Sequence, residues 1–241
     1  MAASDHLEEA FGAADPAHFD WQTACPLVSD RERDLVRAAF LPLGERVLDL
    51  GCGEGATLVH LGEPQGAVGV DLFEDKLAFA RRRIPGCSFV AASALALPFL
   101  DGSFDHVLVR DVIHHLDEPS LLIDEVDRVL APGGRIDVLE PCRYNPLIAL
   151  HAITVPVERG ELRSTLPFLE GLVARRFRVV ATSRHQPLPV YRVIFHPQLG
   201  RASLAEHPLA RRAMDGFERL AERIVPAFAW AYLHVRANKP T

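Results

Sequence analysis

Short apolar runs alternate with stretches of helical spacing between Arg46 and Pro141. Five of these runs have strand length and are bounded by turn residues, which predicts five strands. They are "RVLDL", "GAVGVDL", "CSFVAAS", "FDHVLVRD" and "RIDVLEP". Helical patterns lie between them at residues 56–61, 72–84 and 119–130, and "APGG" ends the last helix. Strands that alternate with helices predict an α/β fold, in which helices cover both faces of a parallel sheet.

The segments on either side of this region follow a looser pattern. Residues 32–40 predict a helix that ends at Pro42 and Gly44. After Pro141 we predict a short helix that breaks at Pro156, a helix in "STLPFLEGLVARRF" and a strand in "RVVATSR". We interpret "LPVYRVIFHPQLG" as an irregular or strand insertion and "SLAEHPLARRAMDGFERLAERIV" as largely helical. The stretch "AFAWAYLHVRAN" alternates in the manner of a terminal strand.

The composition is that of a globular chain in a reducing compartment. The 241 residues are 49% hydrophobic and 24% charged, which suffices for the core of one large domain. The four cysteines include no CxxC pair, so we predict neither a disulfide framework nor a metal site. The start of the chain lacks a basic region followed by an apolar run, and no apolar run reaches bilayer length. We therefore expect a soluble, cytoplasmic protein without a signal peptide or transmembrane segment.

The net charge of −6 is unevenly divided along the chain. Residues 1–140 carry 11 basic and 25 acidic groups, whereas residues 141–241 carry 15 and 7. The simplest interpretation is that two oppositely charged parts attract each other within one fold. The alternative is that the basic last third meets an acidic substrate or, peripherally, an anionic membrane surface. Nucleic acid is disfavoured as a partner, because the total charge is negative and no platform of aromatic and basic residues is present.

The stretch "RVLDLGCGEG" runs from a predicted strand into a glycine-rich loop. Loops that leave parallel strands form the ligand crevice of such sheets, and glycines let the backbone approach a ligand closely. The pattern also matches the dinucleotide motif, but Asp49 and Glu54 would repel a pyrophosphate. S-adenosylmethionine carries an ammonium and a sulfonium group, which these acids would attract. Asp71 ends the second strand, 20 residues after Gly51, and its carboxylate can accept both hydroxyls of a ribose.

Four segments together resemble the class I S-adenosylmethionine-dependent methyltransferases with an "LPF…FD" signature. They are "VLDLGCGEG", "VGVDLF", "SALALPFLDGSFDHVLVRDVIHHL" and "VLAPGGRIDVLEP", and they cover Arg46 to Pro141. The resemblance implies a Rossmann-like, doubly wound sheet of seven strands, mostly parallel with an antiparallel last strand. It also implies that residues 1–45 form an N-terminal helical segment, which lids the cofactor or simply packs. Residues 46–241 would be the methyltransferase domain, with elaborations on the acceptor side at residues 142–228.

The same resemblance implies a set of cofactor contacts. Asp49, Gly51 and Gly53 would hold the methionine end, Asp71 would take the ribose, and Leu72 would pack on the adenine. Ser93 stands where the family often has an acid, so Ser93 and the Ala94 amide would make a shorter polar contact to the adenine. Arg110 follows the fourth strand, beside the expected methyl donor. The predicted cofactor-binding residues are Asp49, Gly51, Cys52, Gly53, Asp71, Leu72, Ser93, Ala94 and Arg110.

Methyl transfer from a sulfonium is a direct displacement, so alignment of the reactants can supply much of the acceleration. A general base is needed only where the acceptor must lose a proton. "RDVIHHLDEP" and "EPCRYNPLI" follow the fourth and fifth strands on the edge of the crevice. We leave the catalytic residues unassigned. The candidates are His114, His115, Arg110 and Tyr144, each of which has an alternative role in packing or capping.

The acceptor is predicted only by class. "LIALHAITVPV" and "LPVYRVIF" are apolar and suit a small hydrophobic metabolite, with methylation on oxygen favoured over nitrogen or carbon. The same segments also suit a core or the interface of a homodimer, so a monomer and a homodimer both remain open. Two other functions stay open at this point. One is an NAD(P)-dependent oxidoreductase on a similar fold, and the other is a non-catalytic subunit that binds S-adenosylmethionine.

Overall fold

Seven strands form a sheet in the computed structural model, which describes residues 3–197 and 202–241. They are β1 (Val47–Leu50), β2 (Val68–Asp71), β3 (Ser88–Ala91), β4 (Phe104–Arg110), β5 (Leu130–Pro141), β6 (Arg178–His185) and β7 (Tyr232–Asn238). The order across the sheet is β3-β2-β1-β4-β5-β7-β6. The first five strands pair in parallel, whereas β7 runs antiparallel to both β5 and β6. The predicted seven-stranded α/β sheet with an antiparallel last strand is confirmed.

Prolines mark the start of many of the ten α-helices in the described part of the chain. A proline in the first turn has its φ already set and needs no intrahelical N–H partner. For this reason the helix predicted at residues 32–40 begins at Pro26, and the C-terminal helix begins at Pro208. The helices are α1 (Ala3–Phe11), α2 (Pro16–Ala24), α3 (Pro26–Phe40), α4 (Ala56–His60), α5 (Glu74–Arg83), α6 (Pro119–Val129), α7 (Pro146–Thr154), α8 (Leu166–Val173), α9 (Tyr191–Ile194) and α10 (Pro208–Ile224).

Short 3-10 helices complete the described elements. They span Ile113–His115, Pro156–Arg163, Ala202–Glu206 and Ala227–Ala229. Within the described residues, 3–197 and 202–241, no helix is both long enough and apolar enough to cross a bilayer. The segment predicted as an irregular or strand insertion contains α9, and its last three residues lie outside the described residues.

Hydrophobic side chains cover the two faces of the sheet separately. On one face, α6 and α8 bury Leu122, Ile123 and Leu169 against the strands. On the other face, α3, α5 and α7 bury residues that include Val36 and Leu77. Because helices cover both faces, the sequences of the central strands are continuous apolar runs and do not alternate between apolar and polar residues. This arrangement leaves the ends of the strands as the part of the sheet that a ligand can reach.

A third cluster joins the N-terminal helices to the C-terminal ones. Trp21 and Leu27 pack with Tyr191, Phe195 and Met214, and all five are buried. Trp21 therefore belongs to this core. Residues 16–40 therefore pack against the last third of the chain. Within the N-terminal segment, α1 borders the crevice.

The basic last third of the chain pairs with acids of the first part. These ion pairs have N···O distances from 2.7 to 3.3 Å and link distant segments. The simple interpretation of the uneven charge therefore has direct structural support. The pairs are Arg176–Asp124, Arg192–Glu32, Arg211–Asp30, Arg236–Asp137 and Lys239–Asp127.

Candidate active site

The loop after β1 turns on glycines with left-handed backbone conformations. Gly51, Gly53 and Gly55 have φ values of 77°, 52° and 87°, which residues with side chains rarely adopt. The amide of Gly51 donates to the carbonyl of Val70 at 2.7 Å, which ties the loop to β2. A Cβ on Gly53 would meet no atom within 4 Å, because this part of the loop opens into a cleft. The loop therefore offers bare backbone to a ligand.

Two predicted carboxylates lie on different sides of this loop. Asp71 lines the cleft and accepts hydrogen bonds from the amides of Gly53, at 2.8 Å, and Phe73, at 3.1 Å. Asp49 is buried behind the loop, where its Oδ2 has no hydrogen-bond partner. Burial raises the pKa of Asp49 to about 7; Arg110 opposes this shift and Asp71 adds to it. A cation near the loop would stabilise the ionised form of this buried group.

The other acid of the loop, Glu54, is paired with groups of the protein. Its Oε1 accepts a hydrogen bond from the amide of Asp15 at 3.1 Å, and its Oε2 lies 3.9 Å from Nζ of Lys76. Glu54 therefore joins the loop to the N-terminal segment and to α5. Of these two acids, Asp71 lines the cleft and Glu54 does not.

The adenine side of the predicted site lies beside Asp71. Leu72, Ser93 and Ala94 all line the cleft, and half of the Leu72 surface is exposed. The Ser93 hydroxyl accepts a hydrogen bond from the amide of Leu95 at 3.2 Å, so its proton is available to a ligand. The exposed Leu72 is an apolar surface on which a flat ring can lie.

The cleft itself has a volume of about 420 Å³, within the ~300–1,000 Å³ range of small-molecule sites. Leu7 and Phe11 of α1 form one wall. The segment after β4 and the 3-10 helix at 156–163 form another, which carries histidine and glutamate side chains. The cleft thus has one end at the bare backbone of the glycine loop and a polar end beside the 3-10 helices at 113–115 and 156–163.

The two adjacent histidines differ in charge state. His114 lies between two carboxylates, with Nδ1 2.7 Å from Glu140 and Nε2 3.2 Å from Glu158. Burial alone would lower the pKa of His114, but these carboxylates raise it to about 11. Burial and the neighbouring His114 lower the pKa of His115 to about 4, so His115 is neutral at pH 7. Its ring makes an edge contact with Phe11 at a centroid distance of 5.1 Å.

Three predicted residues lie away from the cleft surface. Arg110 directs its guanidinium to Glu32, at 2.7 Å, and helps to fix α3 on the sheet. Tyr144 is half exposed and packs edge-on against Phe228 at 6.0 Å. The Cys52 side chain is buried under the loop, and burial raises the pKa of its thiol well above the usual value. Their roles in binding or catalysis stay predictions, and nothing in their placement supports them.

Several residues of the cleft were not identified from the sequence. They come from the predicted short helix, the segment after its break at Pro156, the apolar insertion and the predicted terminal strand, and no spacing rule connects them to the glycine loop. The polar end of the cleft contains His151, Glu158, Glu161, Arg192 and Tyr232.

Comparisons with known proteins agree with this geometry. Residues 48–137 match a family model described as a methyltransferase domain. Demethylmenaquinone methyltransferase of Thermus thermophilus is 38% identical over 153 residues, which are 60% of this chain and 67% of the relative. Fatty-acid O-methyltransferase of Mycolicibacterium smegmatis is 42% identical over 151 residues, 55% of each chain. The chain thus spans between about half and two thirds of the curated relatives named here.

Solved structures share the whole fold at lower identity. Phosphoethanolamine N-methyltransferase 2 of Haemonchus contortus, in complex with S-adenosylmethionine, superposes with a TM-score of 0.69 at 20% identity. That match covers 100% of this chain and 60% of the other. A methyltransferase of Thermotoga maritima gives a TM-score of 0.63 at 23% identity and covers 97% and 98% of the two chains.

The family model and the curated relatives identify a methyltransferase that uses S-adenosylmethionine. The chain belongs to the class I S-adenosylmethionine-dependent methyltransferases. The residues present fit this cofactor, because the orphaned Asp49 carboxylate favours a cation, Gly53 leaves room for the ligand, and Asp71 presents an anchored carboxylate. When bound, the cofactor supplies an electrophilic methyl group.

Proposed function

We propose that the protein transfers a methyl group from S-adenosylmethionine to a hydroxyl oxygen of a small apolar acceptor. The observation that carries the proposal is the composition of the polar end of the cleft. Apolar side chains of Leu7, Phe11 and Leu116 border it, and carboxylates converge inside it. Such a cleft favours an apolar molecule that bears a neutral, hydrogen-bonding group.

The charged side chains that line the cleft favour a hydroxyl acceptor over a carboxylic acid. Asp111, Glu158 and Glu161 line the cleft and would repel a free carboxylate, despite the presence of Arg192. A hydroxyl can instead donate its hydrogen to one of these carboxylates, which orients an oxygen lone pair toward the methyl group. We therefore favour a hydroxyl over a carboxylic acid as the acceptor group.

The relatives support an apolar acceptor without naming it. One is named for demethylmenaquinone and another for a fatty acid, and both of these acceptors are lipophilic. Only the second name specifies oxygen as the methylated atom, so the preference for oxygen depends on the residues of this cleft.

For the cofactor we propose contacts from the residues that border the cleft. Gly51 and Gly53 hold the methionine end, with Asp49 behind them as a charge partner. Asp71 accepts the ribose hydroxyls. Leu72, Ser93 and Ala94 bind the adenine. Cys52 and Arg110 then support the loop and the sheet from below, and Tyr144 makes no contact with either substrate.

A transfer assay with methyl-labelled S-adenosylmethionine tests the proposal. The purified chain is offered matched apolar acceptors that carry a hydroxyl, an amine or a carboxylate on the same scaffold, together with a demethylated quinone. We expect label to pass into the organic phase with the hydroxyl compound at a rate well above the others. Label that appears only in the amine, the carboxylate or a carbon-methylated product would contradict the preference for oxygen. A chain that binds S-adenosylhomocysteine but transfers no label would instead be a non-catalytic binder.

Cofactor affinity is expected to rise with pH through the titration of Asp49. Its pKa of about 7 means that part of the population is protonated near neutrality. A cationic ligand favours the ionised form, so binding releases a proton, and affinity increases roughly 10-fold from pH 6 to 8 before it levels off. Calorimetry with S-adenosylmethionine, which carries the sulfonium charge, in buffers of different ionisation enthalpy measures both effects. The Asp49→Asn variant should lose this pH dependence; an equal slope in the variant would assign it to another group.

A further inference from the structure

Three side chains with metal-binding atoms converge at the polar end of the cleft. Nε2 of His114 lies 3.2 Å from Oε2 of Glu158, and Nε2 of His115 lies 3.9 Å from the same oxygen. The ligand atoms of the three residues all lie within 4.8 Å of one another. They come from the 3-10 helices at 113–115 and 156–163, which pack against each other.

The spacing of these atoms fits a small divalent ion. Bonds of about 2.0–2.1 Å in a tetrahedral site place neighbouring ligand atoms roughly 3.3 Å apart. The observed separations of 3.2 and 3.9 Å are close to this value, and a small side-chain movement would close the difference. Two imidazoles and one carboxylate form a ligand set found at catalytic zinc sites, and three protein ligands leave a coordination position open.

A second observation supports a metal site independently of this spacing. The Glu140 carboxylate holds Nδ1 of His114 at 2.7 Å and accepts hydrogen bonds from the amides of Val112 and Ile113, both at 2.8 Å. This buried anchor fixes the ring so that Nε2 faces the cleft. A carboxylate on the remote nitrogen is the usual support of a metal-binding histidine, because it sets both the orientation and the basicity of the ring.

The surrounding charge also favours a cation. The carboxylates of Glu140 and Glu158 enclose His114, and Glu161 and Asp111 line the same cleft. A divalent cation between His114, His115 and Glu158 would neutralise part of this charge.

We propose that His114, His115 and Glu158 bind one divalent ion of the zinc class, whose open position takes the acceptor oxygen. The inference rests on the proposed methylation of a hydroxyl, and it replaces the sequence-based expectation of no metal. The hydroxyl loses its proton to solvent and keeps the electron pair on the bound oxygen. This oxygen forms the new bond to the methyl carbon. The carbon–sulfur bond breaks, and its electron pair stays on sulfur.

Direct metal binding by the full chain tests the site. The protein is stripped with a chelator and titrated with Co²⁺, followed by visible absorption, and with Zn²⁺, followed by calorimetry. We expect one ion per chain and a tetrahedral Co²⁺ spectrum. Glu158→Gln and His115→Gln should each weaken binding by about 100-fold or more. The matched control is His151→Gln, which alters a half-exposed histidine of the same cleft and should leave the affinity within about threefold.

Two results would overturn the inference. One is the absence of saturable binding at one ion per chain, and the other is a loss of binding in His151→Gln but not in His115→Gln. Each variant must still gain thermal stability with S-adenosylhomocysteine, which separates a lost ligand from a lost fold. The proposed function can fail separately. If the chain has no affinity for metal but transfers label, the proposed function holds and the metal site is wrong. If the chain binds the metal but transfers no label, the metal site holds and the proposed function is wrong.

Discussion

Replacement of Asp71 by alanine is expected to weaken the binding of S-adenosylmethionine and S-adenosylhomocysteine by about 1–3 kcal/mol, the scale of a lost charge-assisted hydrogen bond. The carboxylate lines the cleft and is fixed by the amides of Gly53 and Phe73. Because the side chain is already anchored, a ribose that binds it loses little conformational entropy. The substitution removes both the ligand contact and a support of the glycine loop. Calorimetric titration with S-adenosylhomocysteine measures the loss as a 5- to 150-fold increase in Kd, by the relation of about 1.4 kcal/mol per tenfold.

A neighbouring carboxylate supplies the control for this prediction. Asp75 lies in the first turn of α5 and is exposed, so Asp75→Ala removes the same charge without touching the cleft. Its Kd should match that of the unmodified protein. Equal affinities of Asp71→Ala and the unmodified protein would contradict the ribose assignment. Equal losses in Asp71→Ala and Asp75→Ala would point to long-range charge rather than a contact.

The first half of the fold was predictable because its signals are local. Strands β1 and β4 in the middle of the sheet are almost wholly buried, so each appears as a short apolar run between turn residues. Gly51, Gly53 and Asp71 could be placed at the crevice for the same reason, since each follows or ends a parallel strand. For these residues, recognising the strand and where it ends was enough to place them at the crevice.

The polar end of the cleft depends on a contact that no local pattern encodes. Glu158 reaches His114 across 44 residues of sequence. The approach is so close that a Cβ on Gly160 would come within 1.7 Å of the His114 carbonyl oxygen. Only a residue without a side chain fits there, but a glycine in "VERGELR" is also typical of an ordinary turn. The glycine at position 160 is therefore visible in the sequence, but its close contact with His114 is not.

The sequence also did not show in which direction a side chain at the end of a strand points. Arg110 and Asp111 are adjacent, yet Asp111 lines the cleft and Arg110 reaches Glu32 under α3. The prediction of a cofactor contact for Arg110 used its position at the end of the fourth strand. Its actual neighbours depend on Glu32, and the pattern of "SDRERDLVR" does not distinguish Glu32 from the other charged residues of this stretch.

This buried carboxylate is the basis of the second large expected effect, a loss of stability in Glu32→Ala of about 3–5 kcal/mol. Glu32 is 1% exposed and lies 2.7 Å from both Arg110 and Arg192, and it accepts a hydrogen bond from the Tyr191 hydroxyl at 2.9 Å. Its removal leaves two guanidinium groups without their shared counterion. Urea unfolding followed by circular dichroism measures the change. Asp34→Ala, on the exposed side of the same helix, should stay within about 0.5 kcal/mol of the unmodified protein.

The pH dependence of this difference separates a charge effect from a loss of packing. Burial alone would raise the pKa of Glu32, but Arg192 and Arg110 lower it from 4.5 to about 2. A shift of this size corresponds to roughly 3 kcal/mol of stability, because one pKa unit is worth about 1.4 kcal/mol. Since the folded pKa is depressed, this contribution is complete above about pH 5 and is lost as the pH falls toward 2. The gap between the unmodified protein and Glu32→Ala should therefore be constant from pH 8 to 6 and narrow in acid; a gap that does not narrow would assign the loss to packing.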